Sequence, residues 1–179
     1  MHRKLVLFTT VLLVLFTSSI HSLDIIVDGK LEEKEWSEAK EITKYYESLP
    51  YTLNDASGSQ KVLVLEDEEG IYLGFINYQD QETIRTQKHQ RDDEMANADM
   101  VGVSIDFDGD GLLSYGFSIS AGGSILDNVV RNENEVNYDW DADWGYGVNI
   151  DGDIWYAEMF IPWSIAPMKA QRGDKRKVK

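Results

Sequence analysis

Residues 99–120 read DMVGVSIDFDGDGLLSYGFSIS. Val101, Val103, Ile105 and Phe107 share one parity, and Gly102, Ser104, Asp106 and Asp108 share the other. That period of two belongs to a half-buried strand. Leu113, Tyr115, Phe117 and Ile119 then alternate with Ser114, Gly116, Ser118 and Ser120. Asp108-Gly109-Asp110-Gly111 joins the two runs, and Asp-Gly between alternating runs signals a hairpin. One face of the pair must bury against a partner. The other is small, and Gly102, Ser104, Gly116 and Ser118 form a shallow recess once the strands pair.

Outward from this hairpin, the same logic recurs. Residues 61–66 and 71–78 flank an acidic turn at 67–70, and residues 145–150 and 154–161 flank Asp151-Gly152-Asp153. Ile71, Leu73 and Phe75 occupy one face, and Tyr72, Gly74, Ile76 and Tyr78 the other, so that strand is contacted on both sides and lies mid-sheet. Residues 24–27 and 124–130 read as further strands. Leu31, Glu35 and Ala39 are spaced for one or two helical turns, with Trp36 as an anchor packed under a sheet. Residues 79–98 and 132–139 are polar and aperiodic, hence loops, and Pro162 stops the last strand. The expected class is all-β: an antiparallel β-sandwich of two sheets and about eight strands, with one short N-terminal helix.

Residues 1–22 join a basic start to an apolar run of about 12 residues and a small polar end. That run is too short to span a bilayer as a helix and reads as a secretory signal peptide, with cleavage after Ser19 or Ser22; an uncleaved anchor is the alternative. The domain then occupies 23–168. Residues 169–179 form a basic tail, read as the start of a truncated continuation. The formal charge is −15, and loss of Arg3 and Lys4 with the leader makes it −17. Such a chain repels nucleic acid and anionic membranes and leaves neutral ligands, cations and basic partners. Cysteine is absent, so disulfides and thiolate chemistry are excluded.

Four segments occur in order at suggestive distances: 27–36 (VDGKLEEKEW), 71–75 (IYLGF), 99–106 (DMVGVSID) and 157–163 (AEMFIPW). Together they resemble carbohydrate-binding module family 9. The chain is also similar to the domain that precedes a large outer-membrane barrel in some bacterial envelope proteins, through 91–93, Asp106 with Asp110, 115–119, Asp127 and 140–144. The resemblance implies a β-sandwich and export to the periplasm, outer membrane or medium. It further implies sugar binding as the nominal role and calcium as a frequent structural ion. It places the sugar-contacting glutamate of the family at Gly102, its arginine at Ser118, and an aromatic sandwich partner within 95–98, where this chain has none.

The chemistry follows from the residues present. A glycosidase needs two carboxylates facing each other across a sugar-sized cleft, and 32 acidic residues supply such pairs without discriminating among them. The expectation is therefore a non-enzyme, an accessory module of a glycoside hydrolase at most. Asp106, Asp108 and Asp110 before Gly111 match the first half of an EF-hand loop, but position 12 is Phe117. Calcium held there, with Asp92, Asp93 or a backbone carbonyl completing the set, and an ion-free acidic turn are both open readings. Trp140 and Trp144, with Asp141, Asp143 and Arg91, combine ring faces and polar groups suited to an oligo- or polysaccharide; tryptophans packed into the recess or core are the competing reading. Two functions follow: a carbohydrate-binding domain of an exported protein, or a structural or interaction domain before an outer-membrane barrel with the sugar site lost.

Overall fold

The computed structural model describes residues 22–169 apart from 49, 51, 57, 58, 94 and 133. Among the described residues, nine strands form two antiparallel sheets. Strands β1 (Lys40–Ile42), β2 (Ser59–Glu66), β3 (Gly70–Tyr78), β8 (Gly145–Asp151) and β9 (Ile154–Pro162) make a five-stranded sheet in the order β1-β2-β3-β9-β8. Strands β4 (Met100–Ile105), β5 (Leu113–Ser120), β6 (Ile125–Arg131) and β7 (Glu135–Asn137) make a four-stranded sheet in that order. The sandwich is as expected, and β3 does lie at the centre of its sheet.

Three local expectations are corrected. Residues 24–27 form no ladder; the Ile26 N–H donates to Glu33 Oε1, and the Ile26 carbonyl accepts the Asp28 N–H. The helix is a single 3-10 segment, Lys34–Glu38, because apolar spacing over so short a run stabilises no α-helix. Two strands of three residues, β1 and β7, arise in sequence with no alternation. Neighbouring strands recruit them through backbone pairing, Glu41 opposite Leu63 and Val136 opposite Val130. The central hairpin has the expected register, Val103 opposite Phe117, but its connection is a seven-residue loop, 106–112. The leader expected at 1–22 falls, apart from Ser22, outside the described residues, as do residues 170–179 of the basic tail.

Between the sheets, Phe117, Ile119, Ala157, Met159 and Ile161 are fully buried, and Phe107, Trp144 and Trp155 are buried beside them. Each large apolar side chain removed from water there contributes about 1.5–3 kcal/mol. A second cluster lies on the far face of the five-stranded sheet, where Trp36 meets Leu63 and Tyr72, with Leu31 and Phe160 packed beside them. Residues 22–39 roof that face. Their turn at Asp28-Gly29 lies flat on Gly147 and Val148: Gly29 has φ +90°, and a Cβ there would strike the Val148 backbone. The carboxylate of Glu158 on β9 accepts the Asp28 and Gly29 amides at 2.8 and 2.6 Å, fixing the turn to the sheet.

Candidate binding site

Asp127 explains why Arg91 and the 140–144 segment come together. It lies on the inward parity of β6, between Ile125 and Val129, and is fully buried. A charge in that position needs partners. Arg91 supplies Nη2 at 2.6 Å and Nε at 3.3 Å, Ala142 its amide at 3.0 Å, and the Trp144 indole its Nε1–H at 3.1 Å. The Asp127 amide in turn donates to Asp92 Oδ1 at 2.9 Å, and Arg91 Nε reaches Asp141 at 2.8 Å. Burial foremost, and then the nearby Asp127, pushes the Asp92 carboxyl upward. Burial opposes the Arg91 charge, but Asp127, Asp141 and Asp92 outweigh it and raise its value. The cluster ties the 79–98 loop, β6 and the 140–144 segment into one clasp.

Among the described residues, Asp92, Asp127 and Asp141 are the acids that converge as a metal site would, their oxygens within 4.8 Å of one another. The Arg91 guanidinium stands where a cation would, so the set does not fit calcium. Asp106, Asp108 and Asp110 are engaged by partners within the chain. Asp106 is buried and already accepts the amides of Asp108, Gly109 and Gly111 at 3.1, 2.7 and 2.6 Å, an anion cradled by its own loop. Lys169 Nζ bridges Asp110 at 2.6 Å and Asp108 at 3.4 Å, a positive charge already in place. Asp93 bonds the Met95 amide and lies 3.4 Å from His89 Nδ1, outside both groups.

The sequence-derived sugar residues divide. Trp144 is 6% exposed, edge-on to Phe117 at 5.6 Å, and has no ring face open to a ligand. Trp140 is half-buried, with Tyr115 at 5.0 Å and Phe117 at 5.9 Å. Asp141 and Asp143 are exposed, and Arg91 is committed to the clasp. The tryptophan spacing of four serves packing at the sandwich end.

The recess does form. Gly102 stands opposite Ser118 and Ser104 opposite Gly116 on the outer face of the four-stranded sheet. A Cβ at Gly102 would strike Ser118 Oγ, and one at Gly116 would lie 2.7 Å from Asn128 Oδ1, so both glycines keep the floor low. Gly102 and Ser104 are exposed, Ser118 and Asn128 half-buried, and Met100, Leu126 and Val130 lie along the edges. Hydroxyls and an amide thus line a low floor with apolar sides, and among the described residues no aromatic ring covers it. Asn128 was missed from the sequence; its outward parity next to Gly116 on the neighbouring strand was the available signal.

No family model matches the chain, and no curated protein matches it closely. Solved structures do share its fold. One is a carbohydrate binding module family 9 domain from Caldicellulosiruptor kristjanssonii in complex with cellotriose, with TM-score 0.53 and 12% identity over 80% of this chain and 65% of that one. Another is such a domain from the same organism in complex with glucose, with TM-score 0.52 and 15% identity over 85% of this chain and 71% of that one. The chain thus spans 65% of the length of the first, and the architecture is that of a family 9 module.

Proposed function

We propose that this chain, a sandwich with the family 9 architecture, is a non-catalytic carbohydrate-binding domain of an exported protein that takes a neutral sugar on the outer face of β4–β6. The likeness to two domains solved with cellotriose and glucose supports the reading. The recess gives it a place: Ser104, Ser118 and Asn128 offer donors and acceptors, with Met100, Leu126 and Val130 beside them for the apolar faces of a sugar ring. Without an aromatic platform the affinity is modest, about 1 mM or −4 kcal/mol. An acidic surface disfavours anionic glycans.

Calorimetric titration with glucose and cellotriose, against Asn128→Ala and Ser118→Trp, tests the site. Binding in the wild type that either substitution abolishes supports it, whereas binding untouched by both and lost in Trp140→Ala moves the site to the 140–144 segment.

A second reading, a structural or interaction domain, rests on a different feature. β1 and β4 are sheet edges, and between them lies an apolar groove of about 750 Å³ whose walls include Ile42, Val62, Leu73, Phe75, Val101 and Ile105. An extended apolar segment adding to β4 suits that groove. A panel of sugars without a binder, together with full stability of the recess variants, favours this reading.

A further inference from the structure

Glu33 and Glu158 stand in two of the four segments that carry the family resemblance, and the fold brings them together on the roofed face of the five-stranded sheet. Glu158 is 1% exposed, and its Oε2 is committed to the Asp28 and Gly29 amides. Its Oε1 is sealed from water and has no donor. Glu33 mirrors it, with Oε1 accepting the Ile26 amide at 3.1 Å and Oε2 sealed and without a donor. Two unspent carboxylate oxygens in one buried region, both charged, would be costly.

Among the described residues, the surroundings offer no compensating cation. From the roofing segment, Lys30 pairs with the exposed Asp28 at 3.3 Å, and Lys34 projects into solvent beside Glu35. Directly opposite Glu158 stand Gly74 on β3 and Gly147 on β8, neither with a side chain to offer. Their outward neighbours along the strands are Tyr72 and Ile76 on β3 and Gly145 and Asn149 on β8, with Tyr156 and Phe160 flanking on β9 itself. A hydrated ion does not reach oxygens sealed from water, and a hard divalent cation seeks six or more oxygen ligands. A proton needs no room.

We propose that Glu158 is a proton-operated latch: Oε1 carries a proton beside Glu33 while Oε2 holds the Asp28-Gly29 turn, and release of that proton to solvent loosens residues 22–39 from the sheet. Burial pushes this carboxyl above its ordinary value; the two amide bonds pull the other way, and the charges of Glu33 and Asp28 add to the rise. A folded value above the unfolded one gives stability that is complete below the unfolded value and is lost as pH rises through the folded value. The latch therefore grips at low pH and slackens as pH rises past the folded value. It is independent of any sugar bound on the opposite sheet.

The test is amide hydrogen exchange of the whole chain across pH 5–8, with melting temperatures, in wild type, Glu158→Gln and Glu33→Gln, in EDTA and in calcium chloride. Protection factors at Asp28 and Gly29 should fall in the wild type as pH rises, about tenfold for each unit by which the folded value exceeds the unfolded one. In Glu158→Gln the carboxamide oxygen accepts both amides and its NH2 stands in for the proton, so protection should stay constant and the melting temperature at pH 8 should equal or exceed that of wild type. Glu33→Gln should move the loss to lower pH. Protection independent of pH in the wild type overturns the latch. So do a Glu158→Gln protein less stable than wild type at every pH, an unmoved transition in Glu33→Gln, and calcium restoring protection at pH 8.

Discussion

The outward positions of the five-stranded sheet, among them Leu63, Tyr72 and Phe160, are roofed by residues 22–39, whereas on the four-stranded sheet Gly102 and Ser104 face solvent. Both faces come from the same alternation. They differ in the size of the outward side chains: bulky ones need a cover, and small ones leave a usable floor. The covered face stabilises the sandwich and the bare one is free to meet a ligand. On the covered face a polar atom such as Glu158 Oε1 is locked away from water, while the hydroxyl of Ser104 is offered to it.

The largest break in this contrast should come from Trp36→Ala, which removes the centre of the roof. Loss of about 3–5 kcal/mol of stability is expected in denaturant unfolding. A loss below 1 kcal/mol would mean that the roof is dispensable and that both outer faces are alike. Trp144→Phe should cost less, about 1–3 kcal/mol, because it withdraws one of the donors that satisfy the buried Asp127. If this variant instead keeps full stability and loses sugar binding, the clasp is a binding site and the recess is not.

The smallest effect should appear at the end of the 79–98 loop, where Arg85 grips Asp99 just before β4, with Nη2 to Oδ1 at 2.5 Å and the Arg85 amide to Oδ2 at 2.8 Å. Burial works against the Asp99 charge, but the bonds from Arg85 and Gln79 outweigh it and hold the carboxyl below its ordinary value. A lowered value gives stability that is present above the unfolded value and is lost as pH falls through the folded one. Asp99→Asn should therefore lower stability slightly at neutral pH, with the difference from wild type vanishing in acid, which flattens the acid limb of a stability profile. A difference from wild type that is the same at every pH would show that the charge of the pair does not set the loop.

Much of the architecture was legible because two residue properties suffice for it. Parity marked β2 to β6, β8 and β9, and Asp-Gly or acidic turns joined three pairs of them. The three-residue strands β1 and β7 were not legible, since their pairing is bestowed by neighbours and leaves no pattern in Lys40–Ile42 or Glu135–Asn137. Site residues were harder still. Asp106, Asp108 and Asp110 have the spacing of cation ligands, yet a carboxylate can as well be satisfied by amides of its own loop, and only coordinates show which donors arrive first. Asp127 carried a usable signal, an acid on an apolar parity, but its partners lie 15 to 36 residues away.

The sequence alone determined the alternation, the turns and the small outward face of the central hairpin, since these depend on neighbours within a few residues. Tertiary structure decided which tryptophans are buried, that Arg91 is spent on Asp127, and that Glu33 meets Glu158 across more than a hundred residues. Those outcomes depend on which groups compete for a buried charge or an unpaired donor, and that competition exists only once the sheets are stacked.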